Sequence, residues 1–77
     1  MQTYELSRIL KDMYEGASRD KTTMIHLFGI KYARELQNNK ISLKELLRSA
    51  GMPDSYVTEI NKGIRLSNYV EVKAHFK

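Results

Sequence analysis

The sequence predicts a mainly α fold, with four helices, the third and fourth joined by a tight glycine turn, and one short C-terminal β-strand. Three observations carry this reading. Apolar residues recur at helical spacing over residues 4–15, 22–38, 42–50 and 54–62. Helix caps and breakers fall between those stretches. From Val70 the apolar period drops to two, which marks a strand over residues 70–76.

Helix one carries Leu6, Ile9, Leu10 and Met13 on one side and Arg8, Lys11, Asp12 and Glu15 on the other. Thr3 is placed to cap its start and Gly16 to end it. A polar loop from Ala17 to Lys21 follows, and Thr22 or Thr23 opens helix two. Ile25, Phe28, Gly29, Tyr32, Ala33 and Leu36 form its apolar stripe, which Met24, Leu27 and Ile30 widen towards the opposite side. A helix apolar over most of its circumference is central to a fold or lies in an oligomer interface. Gly29 costs about 1 kcal/mol of helix propensity, which points to close approach by a neighbouring helix. Asn38 and Asn39 are good stop residues, because asparagine tolerates the left-handed conformation.

Ser42 caps helix three, with Glu45 three residues on to complete a capping box, and Gly51 ends it. Pro53 starts helix four, where its missing N–H costs least, and Gly63 is read as the stop. In the strand, Val70, Val72, Ala74 and Phe76 alternate with Glu71, Lys73, His75 and Lys77. A lone strand needs a partner: the segment Lys40–Leu43, a second chain, or residues beyond this chain. Pairing between chains would make a homodimer.

Seventy-seven residues support a single domain, residues 1–77, with no second core. No cysteine is present, and His26 and His75 lie far apart, so neither disulfides nor a metal site is expected. Thirteen Lys and Arg against nine Asp and Glu give a net charge of +4, a mild basic bias spread over both halves. That balance suits a polyanionic partner without locating it. The apolar stretch Met24 to Ile30 is interrupted by His26, too short to span a bilayer, and preceded by charged helical sequence unlike a signal peptide. A soluble cytoplasmic protein is expected. With no thiol, no phosphate-binding glycine loop and no acid–base carboxylate pair, neither an enzyme nor a cofactor is expected.

Two short helices joined by a tight glycine turn make a helix-turn-helix unit. Leu43, Leu46, Leu47 and Ala50 supply the first helix, Gly51 the turn, Met52 a plug into the core, and Val57 and Ile60 the inner side of the second. Leu46, Ala50-Gly51-Met52, Ser55-Tyr56-Val57, Glu59-Ile60 and Lys62-Gly63 resemble the helix-turn-helix of the Cro and lambda-repressor class. The likeness covers residues 43–63. It departs from the class at Leu47, where alanine is preferred, in the roughly forty residues before the motif, and in the strand after it. Those departures imply a winged or otherwise variant domain.

The resemblance implies that helix four lies in the major groove of double-stranded DNA. Its outward residues would be Asp54, Ser55, Thr58, Glu59 and Lys62. Ser55 and Thr58 would bond to bases or phosphates, and Lys62 and Arg65 would neutralise phosphates. Tyr56 would lie at the edge, its ring against protein and its hydroxyl towards the backbone, and Lys44 and Arg48 would clamp a flanking phosphate. The charges of Asp54 and Glu59 oppose DNA unless they read a cytosine amino group or pair with Arg65. The implied function is a sequence-reading DNA-binding domain, either a transcriptional regulator or an accessory module. The alternative from another class is a protein-interaction module that uses the same scaffold. Either way, Phe28, Leu46 and Ile60 are expected to be buried together.

Overall fold

The computed structural model describes residues 2–38 and 40–73. Five helices follow in order: α1 (Thr3–Gly16), α2 (Lys21–Lys31), α3 (Ala33–Asn38), α4 (Leu43–Ser49) and α5 (Val57–Leu66), with a 3₁₀ turn, Asp54–Tyr56, leading into α5. The helix-turn-helix is present as α4, the Gly51 turn, and the 3₁₀ turn with α5.

Local chemistry explains most of the boundaries. The Gln2 N–H donates to Glu5 Oε1 at 3.1 Å, so the cap of α1 falls on Gln2, one residue before the expected Thr3. Ser42 caps α4 as expected, its Oγ accepting from the Glu45 N–H at 3.4 Å. Gly51 turns the chain with φ 72°, its N–H reaching Arg48 O while the Met52 N–H reaches Leu47 O at 2.8 Å. This is the six-to-one and five-to-two pattern of a Schellman motif, with Met52 tucked into the core beyond it. The same pattern ends α3, where Ile41 bonds back to Leu36 O and Lys40 to Gln37 O. There the left-handed residue is Lys40, at φ 50°.

The structure corrects three expectations. Residues 22–38 are not one helix: the chain bends at Tyr32 (φ −110°, ψ 17°), although the Tyr32 N–H still reaches Phe28 O and the Leu36 N–H reaches Tyr32 O. The bend lies in the Tyr32 dihedrals, and Ala33 and Leu36 beyond it are both buried. Second, Gly63 does not end the last helix. It lies inside α5 without a positive φ, and the helix runs on to Leu66. Third, the strand expected over residues 70–76, with the wing it would make, is not formed where it can be seen. Val70–Lys73 are irregular, Ala74 to Phe76 lie outside the described residues, and among the described residues there is no strand. A segment of strand-like period with no partner strand has no backbone ladder to join.

The core gathers Leu6 and Leu10 of α1, Ile25 and Phe28 of α2, Leu36 of α3, Leu46 and Leu47 of α4, and Ile60 of α5. Phe28, Leu46 and Ile60 are buried in it together, as the spacing predicts. Ser7 joins α1 to α4 as a buried polar link. It donates to the Tyr4 carbonyl at 2.8 Å and so accepts from Ser49 Oγ at 2.9 Å. Among the described residues no helix is long and apolar enough to cross a membrane.

The most extensive helix pairing is α2 on α5. It is made close by Gly29 and Gly63. A Cβ on Gly29 would stand 2.6 Å from Ile60 O and 2.9 Å from the Gly63 Cα, and a Cβ on Gly63 would strike the His26 carbonyl. The close approach inferred at Gly29 is therefore real, and Gly63 is its counterpart. Gly63→Ala must push two backbones apart and is expected to cost at least about 1–3 kcal/mol. Gly16→Ala meets nothing within 4 Å and is expected to be neutral or stabilising. Denaturant midpoints of the two variants check the contrast.

Candidate nucleic-acid interface

On α5 the inner residues Ile60 and Gly63 are buried, and Val57 and Ile64 pack partly against the core. The opposite side carries Thr58, Asn61, Lys62 and Arg65, all exposed and spaced i, i+3, i+4 and i+7, which is one helical stripe. Three of these, Thr58, Lys62 and Arg65, are sequence-predicted site residues. Asn61 was not predicted. Its signal is the same spacing, one turn after Thr58 and one turn before Arg65, within the stretch already predicted to be helical.

The other expected residues divide between this face and the interior. Ser55 is exposed on the 3₁₀ turn that precedes α5. Lys44 and Arg48 are exposed one turn apart on α4. Ser49, bonded to Ser7, marks the side of α4 that meets α1. Arg48 instead approaches Asp54 at 3.7 Å, on the side where the chain enters α5. Both partners are well exposed, so this pair contributes little to stability. It does bring α4's cations beside the start of the stripe, and it gives Asp54 a counterion other than Arg65.

Two expected site residues face elsewhere. Tyr56 is half-buried: its hydroxyl lies 3.0 Å from the Tyr14 hydroxyl and its ring centroid 5.6 Å from that of Tyr14. The hydrogen bond to Tyr14, and then burial, raise its hydroxyl above the usual tyrosine value. The pair ties the end of α1 to the helix-turn-helix. Lys21 adds to the tie, donating to the Tyr14 carbonyl at 3.1 Å with its ammonium 4.8 Å from the ring centroid.

Glu59 is also turned away from the stripe. His26 Nε2 on α2 donates to its Oε1 at 2.6 Å, and Lys62 Nζ stands 3.6 Å from the same oxygen. Its partner is thus a histidine on another helix, which local spacing could not reveal, and neither a base nor Arg65. The carboxylate is thus shared between a group on α2 and one cation of the stripe. The stripe carries two cations, Arg65 and Lys62 (the latter paired with Glu59), and two neutral hydrogen-bonding side chains, Thr58 and Asn61. Such a set can neutralise phosphates and present donors and acceptors to base edges.

A family model described as an HTH-like domain matches residues 2–73, so the match takes in all five helices and not the turn alone. No curated protein and no solved structure gave a match.

The His26 hydrogen bond, with help from Lys62, holds the Glu59 carboxyl below the ordinary carboxylate range against the opposing effect of burial. A carboxyl that ionises more readily in the folded chain stabilises the fold fully above its unfolded value, about 4.3. That contribution is lost as the pH falls through the lowered folded value. Acid titration of thermal stability is therefore expected to fall more steeply for the wild type than for Glu59→Gln below about pH 4.3. Parallel acid limbs would show that the carboxylate has no such role.

Proposed function

We propose, for a chain that belongs to the HTH-like domain family, that it binds double-stranded DNA with α5 laid towards the major groove. The observation that carries this reading is the exposed stripe Thr58, Asn61, Lys62 and Arg65 on the second helix of the unit, with Glu59 drawn off it by His26. Lys62 and Arg65 contact phosphates, with Lys44 and Arg48 on a flanking strand. Ser55, Thr58 and Asn61 meet base edges or the sugar–phosphate wall. The Ala50-Gly51-Met52 turn, which resembles that of the Cro and lambda-repressor class, supports this assignment of the recognition helix. In this reading the protein is a soluble, cytoplasmic, non-catalytic domain, and it acts as a transcriptional regulator or as the DNA-reading part of a larger assembly.

A second reading rests on a different observation. Leu66, Tyr69 and Val70 are exposed at the end of α5, with Tyr69 85% accessible. A protein-interaction module that uses this corner would need no DNA.

Titration of a labelled random-sequence duplex separates the two. Binding at low salt that weakens steeply as salt rises is expected for DNA contact. Lys62→Ala with Arg65→Ala should weaken binding to every sequence by about tenfold and lower the log–log salt slope by about 1.8. Thr58→Ala or Asn61→Ala should instead change sequence preference, by about 1–3 kcal/mol at one base pair. No response near ~100 μM protein, a range that spans non-specific affinities, would favour the interaction-module reading.

A further inference from the structure

Glu59 carries a negative charge in the first turn of α5, one residue from Thr58 and one turn from Lys62. Left to its own helix, a carboxylate at this position weakens phosphate contact in two ways. It adds repulsion at short range, and it draws the i+3 lysine into a pair on the helix surface. Its position here follows from a group on another helix. His26 projects from α2 beside the Gly29 crossing and donates through Nε2 to Glu59 Oε1 at 2.6 Å. Lys62 Nζ, at 3.6 Å from the same oxygen, is the more distant partner. The burial of the three side chains follows that order. Those of His26 and Glu59 are 29% and 23% exposed, and that of Lys62 is 57% exposed on the outer stripe.

We propose that His26 is a positioning residue for the DNA-facing side of α5: by taking the nearer bond to the Glu59 carboxylate it competes with Lys62 for that oxygen, and so loosens the Lys62–Glu59 pair for exchange with a phosphate. The proposal rests on the DNA-binding reading above. His26 touches no DNA in this arrangement and acts through Glu59. Removing its imidazole leaves the Glu59 carboxylate to Lys62 alone, which tightens that pair and weakens the contribution of Lys62 to phosphate contact. The remaining charges near the cluster do not substitute for His26. Lys21 is engaged with Tyr14, and Tyr56, whose hydroxyl feels Glu59, is bonded to the Tyr14 hydroxyl.

The test compares wild type, His26→Ala, Glu59→Gln and the His26→Ala/Glu59→Gln double variant by anisotropy of a labelled random duplex. Salt is varied from about 50 to about 200 mM, and thermal melts confirm that all four proteins are folded. His26→Ala is expected to bind about threefold more weakly, with a log–log salt slope shallower by about 0.9, the loss of one phosphate contact. Adding Glu59→Gln should restore both the affinity and the slope, because there is then no carboxylate to hold. A His26→Ala protein with wild-type affinity and slope overturns the proposal. So does a loss that Glu59→Gln fails to rescue, which would assign His26 a purely structural role. If wild type itself does not bind, all four proteins are silent and the DNA reading falls together with the proposal. If wild type binds and only the rescue fails, the DNA reading stands.

Discussion

The contact between Gly29 of α2 and Gly63 of α5 is the constraint on which the candidate site depends, because it brings two helix backbones closer than any side chain at either position would permit. With hydrogen in place of Cβ on both, α5 settles on α2 with Ile60 delivered into the core beside Phe28. Once that side of α5 is fixed, the helical period determines what remains outside: Thr58, Asn61, Lys62 and Arg65. Neither glycine serves here as a turn or a stop. The turn residue is Gly51, whose positive φ sets the path from α4 into α5.

The same crossing organises the charges. His26 stands beside Gly29, and at this short separation its ring reaches Glu59 across the helix pair. A wider crossing would leave the carboxylate among the residues of the outer stripe. On the far side of the unit, the Tyr14–Tyr56 pair binds α1 to the start of α5, with Lys21 of α2 holding Tyr14, while Ser7 and Ser49 bind α1 to α4. The helix-turn-helix is therefore supported by two helices, α1 and α2. The exposed side of α5 is presented by a braced element, which suits recognition by a preorganised surface.

Much of this was legible in the sequence, where the governing chemistry is local. The Ser42 cap, the Gly51 turn with Met52 behind it, and the joint burial of Phe28, Leu46 and Ile60 follow from spacing and capping rules. The close approach at Gly29 was also legible, but its counterpart was read as a helix stop. A glycine near a helix end signals either a turn or a contact, and only the packing decides which. The bend at Tyr32 has no proline or glycine to announce it, and the left-handed residue after α3 is Lys40, where an asparagine was expected. The alternation from Val70 is a genuine strand signal, but strand formation needs a partner that local sequence does not supply. For the site, Lys44, Arg48, Ser55, Thr58, Lys62 and Arg65 emerge exposed as the pattern implies, and Asn61, one turn after Thr58, joins them. The partners of Glu59 and Tyr56, His26 and Tyr14, lie 33 and 42 residues away in the chain, beyond the reach of local spacing.

The central claim is that the Gly29–Gly63 crossing turns one particular stripe of α5 towards DNA. Its most direct test is to map a duplex onto the protein by NMR, following backbone amides and the Asn61 side-chain amide during titration. The account predicts that perturbations concentrate on Ser55, Thr58, Asn61, Lys62 and Arg65, with a second group at Lys44 and Arg48, while the Gly29 amide stays nearly still. Perturbations centred on Leu66, Tyr69 and Val70 with a quiet α5 stripe, or none at all at low salt, would contradict it.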